Sequence, residues 1–316
     1  MRRGQERLGL LCAGLCALNG AFVPAVAKLT AGRAEPLFVA AATSAFAAIT
    51  AAVLLGARGE LGRLFERRRA PRLLGVGVLG TAVAFLLFFE GSRRTSAIVT
   101  ALCLQVEPVY SLVLARVFLG HPITGRRLAA VAGIVLGIAL ALAPGGTAEW
   151  VGVALLLATP LGWQASHLVV LRGLADVEPR TLTGARYLFG GAVLLAGWLA
   201  TGGLARLPEA AELGSLVPLL ALQGIVLSFV GTLLWYETIT RLDLARATSI
   251  VVPSIPLLSL GASFLVVGEV ATPPQWAGLA LAAAGVLAFV TAPDVHESRA
   301  RLPSPTAPIA VPDSDR

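Results

Sequence analysis

Charge is scarce in this sequence and lysine is almost missing. Only 14% of the 316 residues are charged, and Lys28 is the single lysine among 25 basic residues. A soluble domain carries about a quarter charged residues. The chain is 56% hydrophobic with a mean hydropathy of +0.81, more apolar surface than a soluble fold of this size can hide. Water is therefore excluded as the solvent for most of it. Aspartate is missing from every long apolar run: Asp176, Asp243, Asp294, Asp313 and Asp315 all fall in connections or the tail. The three cysteines, Cys12, Cys16 and Cys103, lie inside apolar runs with no Cys-x-x-Cys spacing, and the three histidines do not cluster. That argues against a disulfide framework or a metal site. There is no G-x-S-x-G, no H-E-x-x-H and no Walker motif, so hydrolytic, aspartyl and nucleotide-driven chemistry lack their groups. The sequence predicts no enzyme, no metal and no cofactor. In a soluble protein a pI near 10.3 would point to nucleic acid. Here the arginines fall between apolar runs, so no nucleic-acid partner is expected and the charges read as topological.

What is present is a series of apolar runs long enough to span a bilayer, which needs about 20 residues. They cover 8–28, 36–56, 73–91, 96–118, 126–143, 150–171, 180–200, 214–236, 246–267 and 275–292. The runs do not alternate like barrel strands. The expected fold is an all-α polytopic membrane protein of ten transmembrane helices. The first run is too long for a signal-peptide core, so an uncleaved first helix is expected after a short N-terminus, 1–7. Residues 293–316, rich in Pro, Ser and charge, read as a disordered tail. Basic residues set orientation. With a cytoplasmic N-terminus, eighteen basic residues lie in inner segments and five, Lys28, Arg33, Arg93, Arg94 and Arg206, in outer ones. Both termini are then cytoplasmic, in a bacterial-type cell membrane.

The chain also repeats itself at a spacing near 145 residues. Glu35-Pro36 returns as Glu178-Pro179, "LLFFE" (86–90) as "LLWYE" (233–237), and "VEPVYSLVLARVFLGHPIT" (106–124) as "SIPLLSLGASFLVVGEVAT" (254–272). Units 8–143 and 149–292 each hold five spans. Five is odd, so the second enters the membrane inverted, an arrangement that builds one central site between two like halves.

On the segments 79–142 and 227–290, which carry these motifs, the chain resembles the ten-helix EamA branch of the drug/metabolite transporter superfamily. The resemblance covers nearly all of residues 8–292. Its signature is the fourth helix of each repeat, with a mid-helix Glu-Pro and a Leu-Gly-Glu-Pro-like end. Two positions depart: Ile255 stands opposite Glu107, and the first repeat ends in His121-Pro122. The resemblance implies non-ATP export of amino acids or other small polar metabolites. A proton-coupled multidrug exporter is a second reading, although its chemistry needs an acid in the first helix, which has Asn19 instead. A lipid or lipid-linked sugar flippase is a third.

Polar groups within the hydrocarbon are costly and usually face the bundle interior. Asn19, Gln105, Gln164 and Gln223 fall mid-helix, with Glu107, His167 and Arg186 toward the inner side and Trp163 and Tyr187 beside them. These nine are the candidate substrate-binding residues, with Arg186 suited to a carboxylate. The competing reading of Glu107 and Arg186 is a structural ion pair; that of Asn19 and the glutamines is interhelical hydrogen bonding. Pro108, Pro253 and Pro256 are expected to interrupt helices four and nine, a pointer to the site. Trp235 and Tyr236, near a helix end, read as an interfacial belt. Glu90 and Glu237 read as solvated end charges, or else gates paired with Arg93, Arg94 and Arg241. "GIVLG" (133–137) permits close helix approach, within the chain or in a homodimer.

Overall fold

The computed structural model describes residues 2–120, 122–142, 149–174, 176–242 and 244–292; the tail and His121 lie outside them. Ten membrane helices follow in chain order. They are α1 (Arg2–Ala31), α2 (Pro36–Ala57), α3 (Ala70–Arg94), α4 (Ala97–Cys103, then Leu104–Val106 and Glu107–Leu119), α5 (Gly125–Ala141), α6 (Trp150–Gly173), α7 (Pro179–Ala200), α8 (Ala210–Ala221, Leu222–Val230 and Gly231–Arg241), α9 (Leu244–Val267) and α10 (Pro273–Val290). Among the described residues there is no strand, and nine helices are long and apolar enough to cross a membrane. The tenth, α5, has 17 residues, the lower end of a spanning length. The protein is an all-α polytopic membrane protein.

Burial is inverted relative to a soluble protein. Val53, Val117, Leu136 and Leu265 are more than half exposed, while much of the interior is Ala, Gly, Ser and Thr. Lipid solvates the large side chains, and small ones let helices approach. The pair α5–α10 shows this. A methyl added at Gly137 would meet the Ala282 nitrogen at 2.5 Å, and one at Gly285 the Ile134 nitrogen at 2.8 Å. Gly137 of the "GIVLG" motif therefore packs within the chain.

Contacts come in pairs that exchange the two halves. Glu35 binds Arg206 at 3.0 Å, and Arg63 binds Glu178 at 3.3 Å. Gly77 of α3 lies against Phe189 and Gly190 of α7, as Gly224 of α8 lies against Phe46 and Ala47 of α2. Asn19 of α1 abuts Gly231 of α8, as Gly162 of α6 abuts Ala84 of α3. Local signals match too. Pro36 and Pro179 occupy the first turns of α2 and α7, where a fixed φ suits the helix start. Gly120 and Gly268, at φ 71° and 68°, end α4 and α9 in the left-handed conformation that glycine adopts without strain.

Two elements differ from the sequence expectation. Helix four is interrupted, but by a 3₁₀ turn at Leu104–Val106, with Pro108 in the first turn of the segment beyond it. Helix nine is not interrupted: α9 runs unbroken through Pro253 and Pro256. It packs along α1, and neighbouring helices make proline tolerable in membrane helices. The pairing in α5–α10 gives a test. Gly137→Ala should destabilise the detergent-solubilised protein by about 1–3 kcal/mol through overpacking. Gly133→Ala, whose methyl finds nothing nearer than 3.7 Å, should leave the melting temperature nearly unchanged. Equal melting temperatures for the two variants would contradict this packing.

Candidate functional site

The site begins with backbone. Val78–Val83 in α3 and Leu222–Val230 in α8 are π-helical, and these are corresponding segments of the two halves. The wider turn replaces i to i−4 bonds with i to i−5 ones. Side chains also donate to the backbone in these segments. Arg186 of α7 donates from Nη2 to the Gly80 carbonyl at 2.8 Å and from Nε to Thr81 Oγ1 at 3.3 Å. Asn19 of α1 donates from Nδ2 to the Val226 carbonyl at 2.9 Å. Ser228 Oγ donates to the Gln223 carbonyl at 2.8 Å.

Between these segments lies a cavity of about 350 Å³. Its polar wall holds Asn19, Glu107, His167, Arg186, Gln223, Ser228 and Thr232. Aromatic and apolar walls come from Phe85, Phe88, Trp163, Tyr187, Trp235, Val23, Leu227, Val251, Val252 and Ile255. Helices of both halves contribute. Within the second half, Tyr187 Oη and Thr232 Oγ1 share a hydrogen bond of 3.2 Å between α7 and α8. Two lining atoms, Trp163 Nε1 and Gln223 Oε1, are buried without a partner, an arrangement that calls for an explanation in a folded protein.

Of the nine residues singled out in the sequence, seven line this cavity: Asn19, Glu107, Trp163, His167, Arg186, Tyr187 and Gln223. Gln164 stands behind it, donating to Glu107 Oε1 at 2.7 Å. Gln105 is elsewhere: its side chain folds back to the Ala101 carbonyl at 3.3 Å, because the 3₁₀ turn redirects it. Glu107 and Arg186 do not form the ion pair that the structural reading required. No salt bridge joins them among the described residues, although their charges are close enough to interact. Trp235 lines the cavity and so is no interfacial anchor; the side chain of Tyr236 lies outside the described set. Glu90 is not a free end charge, since Arg93 and Arg94 bind it at 2.8 and 2.6 Å. Glu237 is bound by Arg241.

Sequence reasoning missed the π segments and the apolar wall. The first carried a signal, glycines clustered in "GVGVLGTAV" (75–83) and a glycine in "LQGIVLSFV" (222–230). The second carried none, because Val23, Leu227 and Ile255 look like any lipid-facing residue.

Apolar packing differs between the two ends of the cavity. At the end with Phe38, Phe89, Trp198 and Leu216, one continuous core joins both halves. At the other, Leu55, Leu73 and Leu182 form one cluster and Ala17, Leu242 and Val251 another. There the loop 58–69 is tied to the start of α7 by ion pairs, Arg69 to Asp176 at 2.6 Å and Arg180 to Glu60 at 3.2 Å. Arg180 and then Arg63 hold the Glu178 carboxyl below the usual carboxylate range.

A polytopic helical bundle with a charged cavity walled by both of its halves defines the class of membrane transport proteins. The chain belongs to the EamA-like transporter family, whose pattern matches residues 7–143 and again 150–291. It is similar to a protein of Streptantibioticus cattleyicolor named "Probable terminal-alkyne amino-acid exporter", 28% identical over 76% of this chain and 80% of that one. It is also similar to an "Uncharacterized transporter" of Archaeoglobus fulgidus, 25% identical over 81% of this chain and 89% of that one. A solved crystal structure shares the fold, with a TM-score of 0.61 at 17% identity, covering 92% of this chain and 98% of that chain.

Thiol accessibility tests the cavity. With Cys12, Cys16 and Cys103 changed to Ala, a polar thiol reagent should modify Ser228→Cys at least tenfold faster than Gln105→Cys. Comparable rates would place both positions in the same environment and contradict the geometry.

Proposed function

We propose that this protein is a secondary transporter, independent of ATP, that exports a small polar metabolite such as an amino acid. It works by alternating access, in the cell membrane, with both termini cytoplasmic and with repeats 8–143 and 149–292 as its two halves. It is no enzyme. The observation that carries the reading is Arg186: a cation inside a membrane span, on a cavity wall, with no carboxylate within salt-bridge reach among the described residues. An uncompensated cation there costs about 3 kcal/mol or more. Its two protein hydrogen bonds offset part of that cost, and three of its five N–H donors remain for an anionic group of the cargo. In the first half the corresponding position is Thr43, so the fold itself does not demand a charge there. The exporter relative's name supports the amino-acid reading. The eighteen-to-five distribution of basic residues supports the orientation.

The multidrug alternative finds no acid in the apolar run 8–28 of α1, where Asn19 instead donates to a carbonyl of α8. In proteoliposomes, Arg186→Gln should abolish uptake of the transported amino acid while the protein still elutes as a folded species. Arg186→Lys should fall at least tenfold, because lysine loses the planar fork. Normal transport by Arg186→Gln would remove the residue from the site. A cysteine introduced at Arg67 should be labelled only from the cytoplasmic side; labelling from outside would reverse the orientation.

A further inference from the structure

The connection between α2 and α3, residues 58–69, is strongly basic: five arginines stand against two glutamates. Arg63 is bound by Glu60 and Glu178, and Arg69 by Glu66 and Asp176. Arg67 and Arg68 are exposed and make no hydrogen bond or ion pair among the described residues. The matching connection of the second half, 201–209, follows α7 as this one follows α2, and its Arg206 binds Glu35 as Arg63 binds Glu178. It holds one arginine and one glutamate. The fold therefore uses the bridge in both halves and does not itself demand the further arginines. Orientation asks for positive charge on this side, but any place along the connection would serve it.

The two free arginines follow an aromatic ring in an unusual place. Leu64 is fully buried in the cluster of Leu55, Leu73 and Leu182, and it pins the 3₁₀ turn Leu61–Phe65 to the bundle. Its neighbour Phe65 points the other way and is 67% exposed. The Phe65 ring meets that of Phe189 edge-on, with centroids 5.8 Å apart. Phe189 stands ten residues into α7, about 15 Å along its axis. Val193, one turn further on the same face, is open to lipid. Phe65 therefore reaches past the start of α7 and meets acyl chains, not water, while Arg67 and Arg68 follow it within three residues.

We propose that Phe65, Arg67 and Arg68 form a docking surface for an anionic phospholipid of the adjoining leaflet, with the guanidiniums on its phosphate and the ring beside its acyl chains. Guanidinium and phosphate match in charge and in hydrogen-bonding geometry. A zwitterionic lipid brings its own ammonium to that phosphate, so two unpaired arginines favour a headgroup of net negative charge. The surface is held ready without the lipid: Leu64 fixes the turn from inside, and Arg63, Arg69 and Glu60 tie the connection to Glu178, Asp176 and Arg180. This inference is independent of the cargo.

The test is native mass spectrometry of the full chain in detergent, titrated with phosphatidylglycerol and with phosphatidylcholine of the same acyl chains. Wild type should hold phosphatidylglycerol at least tenfold more tightly. Each arginine at an anionic headgroup contributes about fivefold, so Arg67→Gln/Arg68→Gln should weaken phosphatidylglycerol roughly 30-fold. It should leave phosphatidylcholine binding and the melting temperature unchanged, because neither side chain bonds to protein. Phe65→Ala should weaken both lipids by a similar factor, since it removes the contact with acyl chains. Arg2→Gln/Arg3→Gln takes the same charge from the same side of the membrane and should keep phosphatidylglycerol affinity within about twofold of wild type, because at this surface position decides and not total charge. The proposal is overturned if wild type does not discriminate between the lipids, if Arg67→Gln/Arg68→Gln binds phosphatidylglycerol as wild type does, or if the two double variants lose it equally. Displacement of the lipid by a millimolar excess of inorganic phosphate would also overturn it, by making the arginines a site for soluble anions.

Discussion

A backbone carbonyl in hydrocarbon must have a donor, and that requirement organises this molecule. Helices meet it locally almost everywhere. At two corresponding places, Val78–Val83 and Leu222–Val230, the helix widens to π geometry, and there side chains from other helices add donors to backbone carbonyls. One of those side chains is a neutral amide, Asn19, and the other is a cation, Arg186. Arg186 is thus anchored by the Gly80 carbonyl and the Thr81 hydroxyl of α3. Arg186 does not have to be held by a buried carboxylate, whose neutralising partnership would leave nothing for a ligand. Glu107 is freed in the same way, by a neutral hydrogen bond from Gln164.

The two halves share a scaffold and differ in what they place on it. Glycine contacts, proline starts and left-handed helix ends recur in both. The chemistry does not recur. Asn19 abuts Gly231 where Gly162 abuts Ala84, and Ile255 stands opposite Glu107. The small-residue contacts are paired between the halves, whereas the polar residues of the cavity are not.

The fold was legible because lipid imposes length and apolarity on each span. Most of the cavity's polar residues were legible for the same reason: a Glu, His or Arg in such a run must face inward. Gln105 shows the limit. One helical register cannot foresee a 3₁₀ turn, and the turn sends the amide back to its own backbone. The prolines of α9 misled because a missing N–H was equated with a break, whereas a neighbouring helix packs along the whole segment. Trp235 misled because distance from a helix end was counted along the sequence, and α8 extends further, to Arg241. The apolar wall was invisible because lipid-facing and cavity-facing valines or leucines are chemically alike.

The paired bridges Glu35–Arg206 and Glu178–Arg63 have a mechanical meaning. They sit at opposite faces of the membrane, and both are closed in one and the same conformation. The bridges act as a brace in this conformation: α2 and α7, which lie side by side, are lashed to each other's following loop at both ends, so opening either end of the pair must first part an ion pair.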